Sequence, residues 1–331
     1  MKPILHKFVT KTVILLLISF TIFSNSYSQG LLFGEKVKWE VGLNFGPSFF
    51  LGDLGGNSGK GTNNLKDINF EFTKFMKGLY VTMYPKSWVG IRLAANYTYL
   101  EGDDAIINTT GIDELWRKQR NLDFKSTVLE GYMAVELFPT MLFQRQSEYE
   151  PRLRPYGFAG IGVFHFNPKG SLTDAAGNKT WYALQPLRIE GQGMPEYPYS
   201  KPYKLTQINI PFGAGLKFFA SDRISLSGEI LYRKTFTDYI DDVSTKYIDV
   251  NNYNKYLSTQ DASLAYRLSD KSIGIIYPGM TRYPAGTQRG DTKDKDTYFS
   301  IVLKFGVRLG TIYESSFAKR AAKQTKCPSL Y

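Results

Sequence analysis

Apolar and polar residues alternate along much of the chain with a period of two. In residues 39–49, the large apolar side chains fall on one face, while Glu40, Asn44 and Ser48 fall on the other. A period of two is typical of a β-strand that is apolar on one side only. The same pattern predicts five further strands, at residues 89–99, 129–137, 207–218, 224–233 and 299–309.

Two more strands are predicted from weaker alternation, at residues 78–84 and 156–166. The first is expected to begin nearer Ile68. Eight strands is an even number, which returns both chain ends to the same side of a membrane. The short connections PKS and SDR alternate with gaps of about twenty to about sixty residues, as in barrels with tight turns on one side and long loops on the other. The connection at 139–155 is longer than a tight turn and is expected to carry a short helix or a contact surface.

Apolar and polar residues would alternate in a membrane barrel and also in a soluble sandwich or lipocalin-like barrel. The composition of the polar face therefore distinguishes between them. A soluble barrel would show a richly charged face along its full length, whereas here that face is sparse and carries both signs of charge. Eight strands leave room for side chains to fill the interior. The sequence therefore predicts an all-β fold, an eight-stranded antiparallel transmembrane β-barrel with long extracellular loops. Its predicted lumen network is Arg92, Glu130, Glu136, Lys217, Glu229, Arg233, Lys304 and Arg308.

The N-terminal segment has the pattern of a secretory signal peptide. Lys2, Lys7 and Lys11 precede an apolar run, and the small residues of SYSQG follow, so that cleavage is expected after Ser28. Beyond this segment, the sequence has no run near the roughly 20 apolar residues of a membrane helix. The predicted organisation is a signal peptide at 1–28, an outer-membrane barrel at 29–310 and a periplasmic C-terminal tail at 311–331.

Composition and charge agree with an exported barrel. The chain contains 23 Tyr, 23 Phe and 30 Gly, which is typical of antiparallel barrels with aromatic girdles. The formal charge of +11 becomes +8 after cleavage, because residues 1–28 carry three lysines and no acids. This charge is too dispersed to indicate nucleic acid and fits outer-membrane lipid or acidic partner surfaces better. Cys327 is the single cysteine and cannot form an internal disulfide.

Catalytic and cofactor motifs are weak in this sequence. His165 is the one histidine left after cleavage, and an aromatic side chain at a membrane interface is the simpler interpretation of its place in GVFHFNPKG. No GxSxG motif accompanies it. The glycines of GFAGIGVF lie within a predicted strand rather than in a nucleotide-binding loop. We expect no enzymatic activity, no catalytic residue and no cofactor.

The stretch TFTDYIDDVSTKY offers a candidate metal site. Asp238, Asp241 and Asp242 supply oxygen ligands of the kind that calcium accepts. However, the stretch lacks the glycine and the bidentate glutamate of an EF-hand loop. The alternative is that these carboxylates cap backbone N–H groups, or pair with Arg233 and Lys234, where the seventh strand enters the largest loop. In that interpretation the aromatics Phe236 and Tyr239 lie in the interface girdle.

Several phrases in this order carry a family resemblance: FLGDL, YLEGDD, NLDFKSTVLEGYMAVELF, PYGFAGIGVFHFNPKG, INIPFGAGLKF and RKTFTDYIDDVSTKY. Together they resemble the PorG-like outer-membrane barrel proteins of type IX secretion, over roughly residues 39–309. The resemblance implies a non-enzymatic eight-stranded barrel that anchors periplasmic lipoprotein and ring subunits of a machine for protein secretion and gliding motility. It implies no catalytic residues and no metal ligands.

The C-terminal tail is the candidate contact for such partners. A short helix at 315–323, with basic residues around it, is one expectation, and a solvated disordered terminus is the other. A structural or surface-binding barrel acting through its long extracellular loops is the alternative function, and it would depend on residues 238–296. The candidate partner-binding residues of the tail are Phe317, Lys319, Arg320, Lys323 and Lys326.

Overall fold

A computed structural model describes residues 37–54, 73–107, 111–142 and 151–309. Ten strands form one sheet, and eight of them build the barrel. The barrel strands are β1 (Lys38–Leu51), β2 (Lys74–Lys86), β3 (Val89–Asp103), β4 (Asp123–Leu137), β5 (Leu153–His165), β8 (Thr206–Phe219), β9 (Ile224–Thr235) and β10 (Thr297–Leu309). The other two are β6 (Pro168–Thr173) and β7 (Lys179–Ala183).

The barrel is closed and antiparallel throughout. Its hydrogen-bonded order is β3-β2-β1-β10-β9-β8-β5-β4, and pairing of β3 with β4 completes the ring. The predicted eight-stranded antiparallel barrel is therefore confirmed. Both weakly predicted strands are members, since β2 pairs with β1 and β3, and β5 pairs with β4 and β8. Ile68, the expected start of the second strand, lies outside the described residues.

Short and long connections separate the two ends of the barrel. At one end, here called the turn end, tight turns join β2 to β3 and β8 to β9. Lys38 and Leu309, the first and last strand residues, also lie there, because Lys38 pairs with Tyr84 and Trp39 pairs with Leu309. The connection from β4 to β5 begins with the short helix α2 (Pro139–Leu142), and residues 143–150 of it lie outside the described part of the chain. At the opposite end, the loop end, lie the four long connections.

The outer and inner faces of the barrel have opposite polarity. Large apolar side chains point outward and stay exposed; Leu43 is 52% exposed, Ile161 67% and Leu303 56%. The alternate positions, such as Glu136 and Lys304, point inward and are buried. This arrangement is inverted relative to a soluble barrel and is that of a barrel surrounded by lipid. No helix in the described residues is long and apolar enough to cross a membrane.

The wall of the barrel is closely packed at Gly160. A side chain at Gly160 of β5 would collide with the backbone carbonyl of Met133 on β4. This close approach explains a glycine of the GFAGIGVF stretch, which lies in β5 as predicted.

The long connections fold into a layer over the loop end, here called the loop cap and comprising described residues 52–54, 104–107, 111–122, 166–205 and 236–296. It contains the β6–β7 hairpin, two 3₁₀ turns (Asp104–Ile106 and Gln185–Leu187) and three helices. The hairpin continues the barrel wall, because β6 pairs with β4. A hydrophobic core lies within the cap, around Leu187, Ile189, Tyr253 and Leu268. The helices are α1 (Ile112–Arg120), α3 (Asn251–Tyr256) and α4 (Thr259–Ser269).

Candidate functional site

Paired charges occupy the middle of the lumen. Arg92 on β3 donates two hydrogen bonds to the carboxylate of Glu229 on β9, at 2.9 and 2.8 Å. Its Nε donates to Glu136 on β4 at 2.5 Å. Lys304 on β10 lies 3.5 Å from Glu136 and 3.6 Å from Glu229. All four side chains are buried. Because the partners come from four strands, the pairs tie opposite walls of the barrel together.

Two further pairs lie above and below this centre. Toward the turn end, Lys217 on β8 donates to Glu40 on β1 at 2.8 Å. Toward the loop end, Arg233 on β9 lies 3.1 Å from Glu130 on β4. Amides fill the space beside Glu130, which accepts from Asn96 at 3.0 Å and from Asn209 at 2.7 Å.

Seven of the eight predicted lumen residues thus belong to these buried ion pairs, and the eighth, Arg308, lies directly across the β1–β10 pairing from Glu40. Its guanidinium carbon lies 3.8 Å from the ring centroid of Phe219, near the turn end. Prediction from sequence missed Glu40, which the alternation had placed on the inner face, and also the inward tyrosines. Tyr80 donates to Glu40 at 2.9 Å and Tyr156 to Glu229 at 2.5 Å. The period-two pattern marks these positions as inward, but it does not say which of them meet.

The network fills the middle of the lumen, and its own charges balance one another. Arg92, Lys217, Arg233 and Lys304 face Glu40, Glu130, Glu136 and Glu229, so four bases balance four acids. Aromatic rings pack against these charges; Lys304 lies 4.1 Å from the centroid of Tyr80, and Arg92 lies 4.5 Å from that of Phe158. Such an interior holds the walls together and is built as a core rather than as a channel.

The stretch TFTDYIDDVSTKY leaves β9 and enters the loop cap. Asp241 accepts from the backbone N–H groups of Val243 at 2.9 Å and Leu54 at 3.2 Å, and Asp238 accepts from the Ser244 hydroxyl at 2.6 Å. Asp242 accepts from the Tyr203 hydroxyl at 2.5 Å. The three carboxylates thus take separate partners and order the start of the loop. In the described residues, no group of three or more His, Cys, Asp or Glu side chains has an arrangement that could hold a metal ion.

Other expectations for this segment are met in part. Arg233 pairs with Glu130 in the lumen rather than with these aspartates. Phe236 is 50% exposed, as a girdle residue would be. Tyr239 instead stacks on Tyr203 within the cap, with ring centroids 4.5 Å apart and planes at 6°. The girdle interpretation of Tyr239 is therefore wrong, because the loop turns inward over the barrel after Phe236.

Two buried arginines hold the cap segments together. Arg289 donates to Glu190 at 2.7 Å and to the Asp242 carbonyl at 2.6 Å. Arg120, at the end of α1, donates to Asp104 at 2.8 Å and to the carbonyl of Arg289 at 2.7 Å. Five stretches of chain that are separate in sequence meet at these two side chains. No local sequence pattern predicts the contacts of either arginine.

Carboxylates of the cap are buried close together, which changes their acidity. Burial raises the pKa of Asp53 to about 7 and that of Asp238 to about 8. It also raises the pKa of Asp242 to about 7, although the nearby Arg289 acts in the opposite direction. Burial first, and then neighbouring carboxylates, raise the pKa values of Asp241 and Asp296 well above the ordinary range.

The loop cap is expected to loosen as the pH rises from about 4 to about 8. Over that range the unfolded chain has released these protons while the folded cap still holds them, so the free energy of cap unfolding falls with rising pH. Hydrogen exchange of cap amides should therefore be several times faster at about pH 8.5 than at about pH 5.5, after correction for intrinsic exchange. Asp238→Asn should flatten this profile, whereas Asp294→Asn, which removes an exposed carboxylate of the same loop, should not. Equal corrected rates at both pH values would contradict the expectation.

His165 ends β5 on the outer side of the wall. Its Nδ1 lies 3.0 Å from the hydroxyl of Thr206, and the side chain is exposed. The hydrogen bond joins the ends of two paired strands, β5 and β8. The tail residues Phe317, Lys319, Arg320, Lys323 and Lys326 lie outside the described residues, as do Cys327 and the predicted signal peptide at 1–28.

Comparisons with known proteins give fold-level similarity at low identity. No protein-family model and no curated protein matches the chain. Ail, the attachment invasion locus protein of Yersinia pestis, solved with the heparin analogue sucrose octasulfate, is 10% identical with a TM-score of 0.32, over 82% of this chain and 97% of that one. Neisserial surface protein A is 9% identical with a TM-score of 0.33, over 82% and 99%. A major outer membrane protein of Thermus thermophilus is 12% identical with a TM-score of 0.36, over 83% and 100%. Because these values are low, the architecture rests on the strand pairing of this chain itself.

Proposed function

We propose that this chain is a non-enzymatic outer-membrane barrel that anchors periplasmic lipoprotein and ring subunits of the type IX protein secretion machinery. The filled lumen carries the proposal, because four buried acid–base pairings occupy the space that a channel would need. A barrel with a filled lumen is suited to holding partner proteins at the membrane rather than to conducting solutes. The resemblance of its sequence phrases to PorG-like proteins directs the choice of partner.

The position of the last barrel strand supports a contact on the periplasmic side. Leu309, the last described residue, lies at the turn end beside Trp39. In outer-membrane barrels the tight turns face the periplasm and the long loops face outward. Residues 310–331 therefore start from the side on which secretion-ring subunits would lie. Their proposed contacts are Phe317, Lys319, Arg320, Lys323 and Lys326, whose positive charges suit an acidic partner surface.

Stopping the chain after Gly310 is expected to remove the periplasmic partners while leaving the barrel folded. The reason is that the barrel pairing is complete at Leu309. The measurement is a mild-detergent pull-down from native membranes, with bound subunits identified by mass spectrometry. The full-length protein should bring down secretion-ring and lipoprotein subunits, and the shortened protein should not.

A charge variant provides the matched control. Replacing Lys319, Arg320, Lys323 and Lys326 with glutamine keeps the tail length and should weaken capture, whereas Tyr199→Ala in the loop cap should leave it unchanged. If neither the full-length nor the shortened protein captures these subunits while both are folded in the outer membrane, the anchoring function is wrong.

Binding to an external surface through the loop cap is a second candidate function. The specific observation in its favour is that the long connections form an ordered cap with its own hydrophobic core. Connections that merely closed the barrel would not need two buried arginines to join them. This function predicts that external binding is lost when residues 238–296 are trimmed.

A further inference from the structure

A cavity of about 360 Å³ lies in the loop cap. Its size falls in the range of small-molecule sites, which begins at roughly 300 Å³. Helix α1 contributes one wall, because Asp113, Trp116, Arg117 and Arg120 follow the spacing i, i+3, i+4 and i+7 and so share a face. The segment at 283–291 contributes a second wall.

Aromatic side chains form a platform in this cavity. Tyr247 and Tyr283 stack with centroids 4.9 Å apart and planes at 20°, and Trp116 lies 6.4 Å from Tyr283. Trp116 remains 37% exposed, so its ring is available to a ligand. Flat aromatic faces suit ligands that have an apolar face and a polar edge.

Charged side chains of both signs line the cavity. Three arginines (Arg117, Arg120 and Arg289) and three aspartates (Asp53, Asp113 and Asp291) line it. Arg120 and Arg289 are in addition paired with Asp104 and Glu190. Because Arg120 and Arg289 are already paired with carboxylates, they offer little attraction to a polyanion, while the mixed lining supplies both donors and acceptors to a ligand rich in hydroxyl groups.

One buried hydroxyl in the cavity wall has no hydrogen-bond partner among the described residues. Tyr247 is 4% exposed, its backbone N–H is bonded to the Thr287 carbonyl at 2.9 Å, and its Oη is unsatisfied. Buried polar atoms are nearly always paired, so an unsatisfied one that lines a cavity points to a ligand. A ligand hydroxyl beside the Tyr247–Tyr283 stack would complete its bonding.

From these four features we infer that the cavity is a binding site for a neutral sugar ring, such as the terminal residue of a glycan. The C–H face of a pyranose would lie on the aromatic platform, and its hydroxyl groups would donate to the aspartates and accept from the arginines and Tyr247. This inference rests on the second function proposed above, binding through the loop cap, and is independent of the anchoring of secretion subunits.

Binding is tested with purified full-length protein in lipid nanodiscs and with methyl glycosides of glucose, galactose, mannose and N-acetylglucosamine, by saturation-transfer NMR and calorimetric titration. At least one of these probes should bind saturably. Tyr247→Phe removes only the hydroxyl and should weaken binding by about two- to tenfold, as expected for one hydrogen bond. Trp116→Ala should weaken it by more than about tenfold. Tyr199→Ala, which removes an exposed cap tyrosine outside the cavity, should have no effect.

The outcomes separate the sugar site from the function on which it rests. If no methyl glycoside binds, or if glucose 6-sulfate alone binds, the neutral-sugar site is wrong. Should the cap still bind external cells after their glycans are removed enzymatically, the sugar site fails while surface binding stands. If trimming residues 238–296 changes no external binding at all, the surface function itself fails.

Discussion

Replacing Arg92 with methionine is expected to destabilise the barrel by about 3 to 5 kcal/mol, the usual effect of breaking a buried ion pair. Arg92 donates to Glu136 and Glu229 from the centre of the lumen, and all three side chains are fully buried. Methionine fills much of the same volume but leaves Lys304 as the nearest base to both glutamates, at 3.5 and 3.6 Å. The substitution therefore leaves excess negative charge in a site that water cannot reach.

The measurement is urea unfolding in lipid vesicles, followed by tryptophan fluorescence and by the mobility difference between folded and unfolded protein on gels. A double variant, Arg92→Met with Glu229→Gln, removes one acid together with the base and should recover about 1 to 3 kcal/mol of the loss. Lys86→Met, at an exposed position of the turn end, should change the stability by less than about 0.5 kcal/mol. If Arg92→Met destabilises the barrel by no more than Lys86→Met does, the ion-pair network does not hold the walls together.

Leu303→Arg is expected to cost about 2 to 4 kcal/mol in a bilayer, because Leu303 points outward at the midpoint of β10. Its side chain is 56% exposed, which in water would make the substitution nearly neutral, within about 0.5 kcal/mol. The two environments thus predict different results for the same residue. A large cost in vesicles locates this face in hydrocarbon.

Leu309→Arg is the matched control for that experiment. Leu309 lies on the same face of the same strand, is 50% exposed and lies at the turn end, where an arginine should cost at most about 1 kcal/mol. Both variants are compared with the unchanged protein by urea unfolding in vesicles. If Leu303→Arg costs no more than Leu309→Arg, the outer face is not a membrane-facing surface.

The barrel itself was predictable because its pattern is local. Lipid outside and paired charges inside require opposite polarity on successive residues, so every strand repeats the same period of two. That repetition alone is enough to place Arg92, Glu136, Lys217, Glu229 and Lys304 on one inner surface. Loop lengths then separate the turn end from the loop end. Pairing partners remain undetermined by the pattern, because which inward residues meet depends on the stagger between strands rather than on the sequence of any one strand.

The loop cap could not be predicted in the same way. Arg120, Arg289 and Asp53 meet although they are far apart in sequence, and the backbone around them has no regular period. Tyr239 is an example of this limit. Its sequence context predicts a place in the interface girdle, whereas the loop turns and stacks Tyr239 on Tyr203. By itself the sequence determined the strands, their faces and the two ends of the barrel, since membrane and lumen act on each residue locally. Only the tertiary structure decided the ion-pair partners, the cap and its cavity, because these depend on contacts between segments that no local pattern connects.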